Sequence, residues 1–331
     1  MRLADNLASI TIADIAYARD ILRDLVIRTP LLPFAHAASD RTIWLKPECL
    51  QTYGSYKIRC ASYAALSLTD EQRGKGIFTA SAGNFGQGVA AAAKALGVHV
   101  RVYAPDSAAR TKIAAMRALG AEVIEISFPQ WWSILGGERP ARESRHFVHP
   151  CAGREVVIGN ATLAVEILED APDVEAILVP FGGGGLTLGV ATAVRLTRPE
   201  VDVIACEAAT STPLSTALQA GVPVEVACDR TGFIDGIGGS MVLPTLWPLL
   251  QSAVAGTEVV SEAQVAETIA ALHRANHLVV EGAGAVPVCA AMSSTRFLGR
   301  KVAAIISGGN IDEPILSQIL SGVTSPIKPA L

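Results

Sequence analysis

Clustered positive charge is missing from this chain. Its 331 residues include 27 lysines and arginines against 31 aspartates and glutamates, the formal net charge is −4, and the basic residues are scattered. A polyanion requires a concentrated basic surface, which this pattern does not predict. We therefore expect no nucleic-acid partner. Half of the residues are hydrophobic, enough to build the large core of a soluble α/β enzyme.

Closely spaced cysteines are also absent. The six cysteines are far apart and form no CxxC pair, a pattern typical of reduced core cysteines in a cytosolic protein. At the N-terminus, Asp5 appears before any apolar run develops, so the sequence contains no visible secretory signal. These observations predict a cytoplasmic protein.

A convincing membrane span is lacking as well. One uncharged stretch, from Ala176 to Val194, is long enough to raise the question. Its four consecutive glycines would each weaken a helix by about 1 kcal/mol, and the preceding Pro180-Phe181 is typical of a strand end. We expect a strand followed by a loop here, and no membrane partner.

What the chain does contain is an alternation of short β-branched runs with amphipathic segments. Helices are predicted at 12–25, 89–96 and 108–119, and buried strands at 77–79, 98–103, 123–126, 176–179, 203–206 and 302–306. This alternation predicts a parallel, doubly wound α/β architecture.

Four motifs interrupt this alternation. The first, Gly54 to Arg59, places Lys57 in a glycine-preceded turn that opens an apolar segment. The others are Ser81 to Asn84, Gly182 to Gly185 and Ser307 to Asn310, each at a predicted change from strand to helix. In open α/β sheets such points face the ligand crevice. A lone lysine at a helix start is more often a solvated charge, but the three later motifs favour a functional site.

In this order and at these separations, the four motifs resemble those of the fold type II pyridoxal-phosphate enzymes, and among them the threonine/serine dehydratase and serine racemase family. The resemblance covers nearly the whole chain. It implies a tryptophan synthase β-like fold of two lobes, each with a twisted, mainly parallel sheet flanked by helices. Residues 1–75 and 148–331 would form the large cofactor-binding lobe, and 76–147 a small mobile lobe. It also implies pyridoxal 5'-phosphate as cofactor, an amino-acid substrate and a homodimer.

The cofactor-binding residues follow from chemistry and resemblance together. A lysine amine can condense with the aldehyde of the cofactor, and by resemblance Lys57 is that anchor, with Tyr56 close to the ring. A useful lysine base is expected to have a lowered pKa. A four-glycine loop can direct its N–H groups at a phosphate, and the helix beginning at Leu186 adds its positive end; a tight packing turn is the alternative. The loop residues are Gly182, Gly183, Gly184 and Gly185.

The remaining site residues would contact the substrate and the cofactor ring. Ser81, Ala82, Gly83 and Asn84 precede a helix, where N–H groups can hold a carboxylate, although an ordinary helix cap is equally compatible. By resemblance, Ser81 joins Lys57 among the catalytic residues and Asn84 bonds the phenolic oxygen of the cofactor. Ser307 would face the pyridine nitrogen. A neutral hydroxyl there makes the ring a weaker electron sink than a carboxylate would, which favours elimination.

These features predict an ammonia-lyase of the L-threonine/L-serine dehydratase type. Lys57 would remove the Cα proton, the β-hydroxyl would leave, and a 2-oxo acid and ammonia would result. Racemases of the family carry a second serine where this chain has Ala82, and a methyl group cannot transfer a proton. A β-replacement synthase or a racemase of the same fold is the nearest alternative. A non-catalytic binding or regulatory protein is the alternative from another class.

Several positions depart from the family pattern. Phe85 replaces the usual histidine, which makes a bulkier β-hydroxy amino acid plausible, an aryl or ectoine-derived one for example. Pro213 replaces the aspartate of a cation site that would include Glu207, so no metal is expected. Glu281 and Asp235 are either neighbours of the cofactor or ordinary loop charges. The pair Trp131-Trp132 is a mobile cover, a subunit contact or a packing element.

Overall fold

The computed structural model describes residues 3–38, 40–229 and 232–326. Met1 and Arg2, part of the N-terminal segment inspected for a signal, lie outside them. None of the helices in the described ranges has both the length and the hydropathy needed to cross a membrane. The segment examined for a span instead contains a strand at Ala176–Pro180 and a helix at Gly185–Thr197, so the expected strand is confirmed.

Within the described residues the strands are β1 (Leu32–Pro33), β2 (Thr42–Pro47), β3 (Ile77–Ala80), β4 (Val100–Pro105), β5 (Glu122–Ile126), β6 (His146–Phe147), β7 (Ala176–Pro180), β8 (Asp202–Ala208), β9 (Gly256–Val260) and β10 (Lys301–Ile306). The helices are α1 (Leu3–Ala8), α2 (Ile12–Leu22), α3 (Lys57–Leu66), α4 (Asp70–Lys75), α5 (Asn84–Leu96), α6 (Arg110–Ala118), α7 (Phe128–Leu135), α8 (Arg154–Asp170), α9 (Gly185–Thr197), α10 (Pro213–Ala220), α11 (Trp247–Ala253), α12 (Glu262–Asn276), α13 (Gly282–Ser293) and α14 (Glu313–Leu320).

The strands form two sheets. The larger has the order β1-β2-β10-β7-β8-β9 and the smaller β5-β4-β3-β6. Every pairing is parallel except that of β1 with β2. The predicted α/β fold with two mainly parallel sheets flanked by helices is therefore confirmed. Parallel sheets are covered on both faces, and from Val302 to Ile306 the side chains of β10 are fully buried.

The six predicted strands correspond to β3, β4, β5, β7, β8 and β10, whereas β1, β2, β6 and β9 escaped prediction; β1 and β6 are only two residues long. β2 contains Lys46, a residue that argues against a buried strand, yet its ammonium is buried against Glu166 at 2.6 Å. β9 is an edge strand in which Val259 is exposed, so it lacks the continuous apolar run of the central strands.

Helix α3 is held tightly between two other helices. A side chain at Gly88 of α5 would lie 2.9 Å from the Cβ of Ala61, and one at Gly159 of α8 would lie 2.7 Å from the Cα of Cys60. Glycine at these two positions lets the backbones approach without a clash. The thiol side chain of Cys60 is fully buried there. The close packing fixes the helix whose first residue is Lys57.

Candidate active site

The carboxyl ends of β3, β7 and β10 open onto one cleft, whose empty space, including the part open to solvent, is about 1000 Å³. This is where open α/β sheets bind ligands. The lining includes residues of all four sequence motifs, of α5, α6 and α7, and of three further loops. They are Tyr56, Lys57, Ser81, Ala82, Gly83, Asn84, Phe85, Lys112, Trp131, Trp132, Cys151, Gly182, Gly183, Asp235, Glu281 and Ser307. Residues predicted from distant parts of the sequence thus line one cleft.

Backbone hydrogen bonds join the lysine motif to the Ser307 motif. The N–H of Tyr56 donates to the carbonyl of Ser307 at 3.0 Å, and the N–H of Gly309 donates to the carbonyl of Gly54 at 2.8 Å. Gly54 has φ +67°, and a Cβ on it would lie 2.4 Å from Oδ1 of Asn310. Only glycine fits this turn. The turn and its hydrogen bonds place Lys57 next to the carboxyl end of β10.

Lys57 begins α3 and points into an apolar and aromatic environment. Its Nζ lies 4.7 Å from the ring centre of Tyr56 and 5.8 Å from that of Phe85. Phe85 is only 3% exposed. The half-buried amine therefore lies beside two aromatic rings.

The pKa of Lys57 differs from the expectation. Burial lowers it, but attraction to the ionised forms of Tyr56, Cys151 and Cys60 raises it above its ordinary value. Sequence reasoning predicted a lowered pKa because it considered burial and not the phenol and thiols that surround the amine. Burial also raises the pKa of Tyr56 to about 12, so at neutral pH the phenol is uncharged and this attraction is weak.

The four-glycine loop lies against Cys151. A Cβ at Gly183 would lie 2.2 Å from the Sγ of Cys151, and one at Gly185 would lie 2.8 Å from its Cα. Gly184 has φ +86° and caps α9. A smaller cavity of about 340 Å³ adjoins this loop and is lined by Tyr56, Lys57, Cys151, Gly182, Gly183, Gly184, Gly185, Leu186 and Ser307.

The predicted substrate loop, Ser81 to Asn84, leads into α5, and its last residue is the first residue of that helix. The hydroxyl oxygen of Ser81 accepts from the N–H of Gly86 at 2.8 Å, so this side chain also serves as a helix cap. The amide of Asn84 donates to Oε1 of Glu281 at 2.7 Å, and its oxygen accepts from Asn310 at 2.9 Å. Helix α5 begins at Asn84 and not at Val89 as predicted, because these polar bonds start it before the apolar pattern begins.

Sequence reasoning missed Lys112. This residue of α6 is 6% exposed, and its Nζ lies 3.0 Å from Oδ1 of Asp235 and 3.6 Å from Oε2 of Glu281. Burial lowers its pKa, but the two carboxylates raise it above the ordinary value, so Lys112 is a cation. Its partners are far away in the sequence, and no local signal marks the contact. We call Asn84, Lys112, Asp235 and Glu281 the cavity cluster.

A second buried charge cluster was also missed. Arg59 donates to Glu48 and Glu166, each at 2.7 Å, and Lys46 donates to Glu166 at 2.6 Å. These four side chains, which we call the α3 cluster, join α3 to β2, α8 and the turn after β2. None of them lines the large cavity. Their contribution is to the position of α3.

His149 connects α7 to the cavity wall. Its Nδ1 accepts from the N–H groups of Cys151 at 2.9 Å and Ala152 at 2.8 Å. The proton therefore lies on Nε2, which donates to the carbonyl of Leu135 at 3.0 Å. Burial lowers the pKa of His149 to about 4. A neutral, fully bonded histidine thus fixes the end of α7, which the sequence did not indicate.

Glu207, the residue that a cation site would include, caps a helix. Both oxygens of Glu207 accept bonds at the start of α10, from the N–H of Leu214 and of Ser215 at 2.8 Å each. In the described part of the chain, no group of three or more His, Cys, Asp or Glu side chains is arranged to hold a metal ion.

Comparison with known proteins agrees with this geometry. The family model described as pyridoxal-phosphate dependent enzyme matches residues 22–308. This chain belongs to that family. It is 37% identical over 318 residues to the L-threonine ammonia-lyase of Thermotoga maritima, covering 94% of this chain and 78% of the relative. It is therefore also a member of the threonine ammonia-lyase family of lyases, and its cofactor is pyridoxal phosphate.

Solved structures show the same fold. The threonine deaminase isoform 2 of Solanum lycopersicum, in its processed form, superposes with a TM-score of 0.81 at 27% identity, over 97% of this chain and 93% of that one. Maize serine racemase superposes with a TM-score of 0.83 at 26% identity, over 95% and 97%. The fold type II assignment is thus confirmed.

The residues present fit pyridoxal phosphate. The smaller cavity combines a primary amine, that of Lys57, with a loop of four glycines at the N-terminus of α9 and a serine hydroxyl at the end of β10. A Cβ at Gly183 or Gly185 would collide with Cys151, so the loop must remain without side chains. An amine, an anion-binding helix end and a neutral hydroxyl are what the aldehyde, phosphate and pyridine nitrogen require.

Proposed function

We propose that this protein is a pyridoxal-phosphate-dependent ammonia-lyase that converts a β-hydroxy amino acid of the L-threonine/L-serine type to a 2-oxo acid and ammonia. One observation carries the proposal: Lys57, the glycine loop and Ser307 line the same cavity as the loop from Ser81 to Asn84. The relatives named L-threonine ammonia-lyase support the same reaction class.

The cofactor would be held by residues of the smaller cavity. The N–H groups of Gly182, Gly183, Gly184, Gly185 and Leu186 would bind its phosphate, and Ser307 its pyridine nitrogen. Tyr56 would lie beside the ring and Asn84 would bond its phenolic oxygen, a contact for which its amide retains a second hydrogen. When bound, pyridoxal phosphate supplies the electron sink for negative charge that develops at Cα.

Lys57 would act as anchor and base. After the substrate amine has displaced it, the freed Nζ would accept the Cα proton and pass this proton to the β-hydroxyl, which would leave as water as the Cβ–O bond breaks. The released unsaturated amine then adds water and yields the 2-oxo acid and ammonia. The rings of Tyr56 and Phe85 beside Nζ would shield the reacting atoms from bulk water.

The loop from Ser81 to Asn84 would orient the substrate. The N–H groups at the start of the 13-residue helix α5 suit a carboxylate, and the positive helix end strengthens the attraction. Ser81 holds the loop in shape by capping the helix. Ala82 carries no proton donor, which favours elimination over racemisation.

The proposal extends to the organisation of the chain. Residues 1–75 and 148–331 would form a large lobe and 76–147 a small lobe that moves against it, a division supported by the smaller sheet, whose strands all lie between Ile77 and Phe147. Closure of such a lobe would exclude water from the cavity. We further propose a homodimer located in the cytoplasm, where the six free cysteines would stay reduced.

The test is product formation by the protein reconstituted with pyridoxal phosphate. L-Threonine or L-serine is expected to give 2-oxo acid and ammonia in equal amounts, and Lys57→Ala to abolish both. Lys75→Ala is the matched control, because Lys75 is exposed and pairs with Glu71 on the surface. Undiminished products from Lys57→Ala, or no product from the loaded wild type with threonine, serine or a bulkier β-hydroxy amino acid, would contradict the proposal.

A further inference from the structure

The cavity has an apolar wall that the proposed reaction with serine or threonine does not use. On one side α7 contributes Trp131, Trp132 and Leu135. On the other side lie Met241 and Leu243, which follow the glycine-rich loop that contains Asp235. Together with Phe85 beside Lys57, these residues surround the space next to the reactive amine. We call this set the aryl wall.

Trp132 of the aryl wall touches the loop that precedes Met241. A Cβ at Gly239 would lie 2.9 Å from Cη2 and 3.3 Å from Cζ3 of Trp132. The indole therefore rests directly on the backbone of the opposite loop. The contact between Trp132 and this loop borders the part of the cleft that the aryl wall lines.

The aryl wall is held in place before any ligand binds. The ring of Phe128 stacks on that of Trp132, with centres 5.8 Å apart and planes 24° apart. At the other end of α7, His149 donates to the carbonyl of Leu135. A preformed pocket of this kind loses little conformational entropy when it binds a matching group.

The charged groups of the cavity do not oppose an apolar ligand. The ammonium of Lys112 lies within 4 Å of carboxylate oxygens of both Asp235 and Glu281, and Asn84 donates to Glu281. Lys112 thus offsets one of the two carboxylate charges, and the hydrogen bond from Asn84 engages Glu281. The distal group of the substrate therefore meets carbon surface and aromatic rings.

Size distinguishes the substrates that would suit this wall. The methyl group of threonine, or the bare methylene of serine, would leave most of the apolar surface uncovered. An aromatic side chain buries about 150–250 Å² and packs favourably against indole and phenyl rings. The wall is thus built for a group of aryl size.

We propose that the substrate is a β-hydroxy amino acid with a bulky, apolar, aryl-sized group on Cβ. The proposal rests on the ammonia-lyase function above and specifies its substrate class. The α-carboxylate and amine would be placed as for any substrate of the reaction, and the β-substituent would pack against Trp132 and the other residues of the aryl wall beside Lys57.

The first experiment compares 3-phenylserine, in its threo and erythro forms, with L-threonine and L-serine on the holoenzyme. The expected kcat/KM is at least about tenfold higher for one form of phenylserine, the lower bound for an added apolar group in a fitting pocket. Equal or greater kcat/KM for threonine, with 2-oxo acid released, would overturn the substrate class and leave the lyase function standing. No product from any of the four would overturn both.

The second experiment tests the wall itself. Trp132→Ala should lower the phenylserine-to-threonine ratio of kcat/KM by about tenfold or more, and Trp132→Phe should retain most of it. Trp44→Ala is the matched control, since Trp44 is a partly buried tryptophan of β2 that does not line the cavity. An equal drop in the control would overturn the assignment.

Inhibition of the wild-type holoenzyme measures binding of an amino acid that is not itself turned over, and it needs no variant protein. L-Phenylalanine lacks the β-hydroxyl and cannot be dehydrated, so it reports binding alone. It should inhibit the wild-type holoenzyme at a concentration at least about tenfold lower than L-alanine does. Equal inhibition by the two amino acids would contradict an aryl-sized pocket.

Discussion

Two buried charge clusters of this protein use the same chemistry for different ends. In the α3 cluster two cations, Lys46 and Arg59, face two carboxylates. Each oxygen of Glu48 and of Glu166 accepts at least one hydrogen bond. In the cavity cluster one cation, Lys112, faces Asp235 and Glu281, and Oε2 of Glu281 accepts no hydrogen bond from the described residues.

The pKa values follow this difference. Burial raises the pKa of Glu166, but Arg59 and Lys46 bring it below the ordinary value. Burial also raises the pKa of Glu281, and there Lys112 does not compensate, so the value stays raised. A cluster with equal numbers of opposite charges and complete hydrogen bonds is suited to fixing helices in place. A cluster with an excess carboxylate beside a cavity can change its protonation or its hydrogen bonds when a ligand binds. Burial alone therefore does not distinguish a structural group from a functional one.

The largest expected effect comes from breaking the α3 cluster. Arg59→Met leaves two buried carboxylates with only Lys46, and we expect the free energy of unfolding to fall by about 3–5 kcal/mol, as measured by urea denaturation. Arg23→Met is the control, because its pair with Asp20 is exposed and should contribute about 1 kcal/mol or less. A loss from Arg59→Met no greater than that of the control would show that the cluster does not fix helices in place.

His149 provides a third kind of buried group, one that avoids the need for a counter-charge by staying neutral. Its pKa is about 4 in the folded protein and about 6.5 in an unfolded chain. The unfolded state therefore binds the additional proton first, and stability present above pH 6.5 is lost as the pH falls toward 4, by up to about 3 kcal/mol. His149→Gln should flatten this part of the curve of unfolding free energy against pH; an unchanged curve would contradict the assignment.

A smaller loss of stability but a clearer effect on the reaction is expected for the cavity cluster. Lys112→Met should lower the unfolding free energy by about 1–3 kcal/mol, less than Arg59→Met, because Asp235 is partly exposed. It should also raise the pKa of Glu281 further, which would shift the acidic limb of the pH profile of kcat/KM to higher pH. Lys94→Met, on the exposed face of α5, is the control. An unshifted profile would argue that Glu281 does not influence the reaction.

The smallest effect on stability is expected at the substrate loop. Ala82→Ser adds one hydroxyl to a partly buried position and should change the unfolding free energy by less than about 1 kcal/mol. By restoring a proton donor it should introduce exchange of the Cα proton with deuterated water, detected by mass spectrometry of recovered substrate. Absence of exchange would show that Ala82 does not decide between elimination and racemisation.

Much of the fold was predictable because continuous β-branched runs identify buried parallel strands. The same applies to the four motifs, since glycines and polar residues after such strands are local signals. β2 could not be predicted in this way, because Lys46 interrupts its apolar run. The partner that allows this lysine to be buried, Glu166, lies in a helix far away in the sequence. Edge strand β9 was missed because an edge needs no apolar run.

The site was only half predictable for the same reason. Lys57, the glycine loop and Ser307 follow from local patterns, whereas Lys112 depends on Asp235 and Glu281, which only the fold brings near. The tryptophan pair was recognised as unusual, but its three interpretations stayed open. The structure places both rings in the cavity wall, a result that depends on how α7 packs and not on its sequence alone.

The central claim is that Lys57, and not the other lysine of the cavity, holds the cofactor. Reconstitution with pyridoxal phosphate, borohydride reduction and peptide mass mapping test it directly, because reduction makes the bond between cofactor and lysine permanent. The account predicts the pyridoxyl group on the peptide that contains Lys57 and none on that of Lys112. A label on Lys112, or no labelled lysine at all, would contradict it.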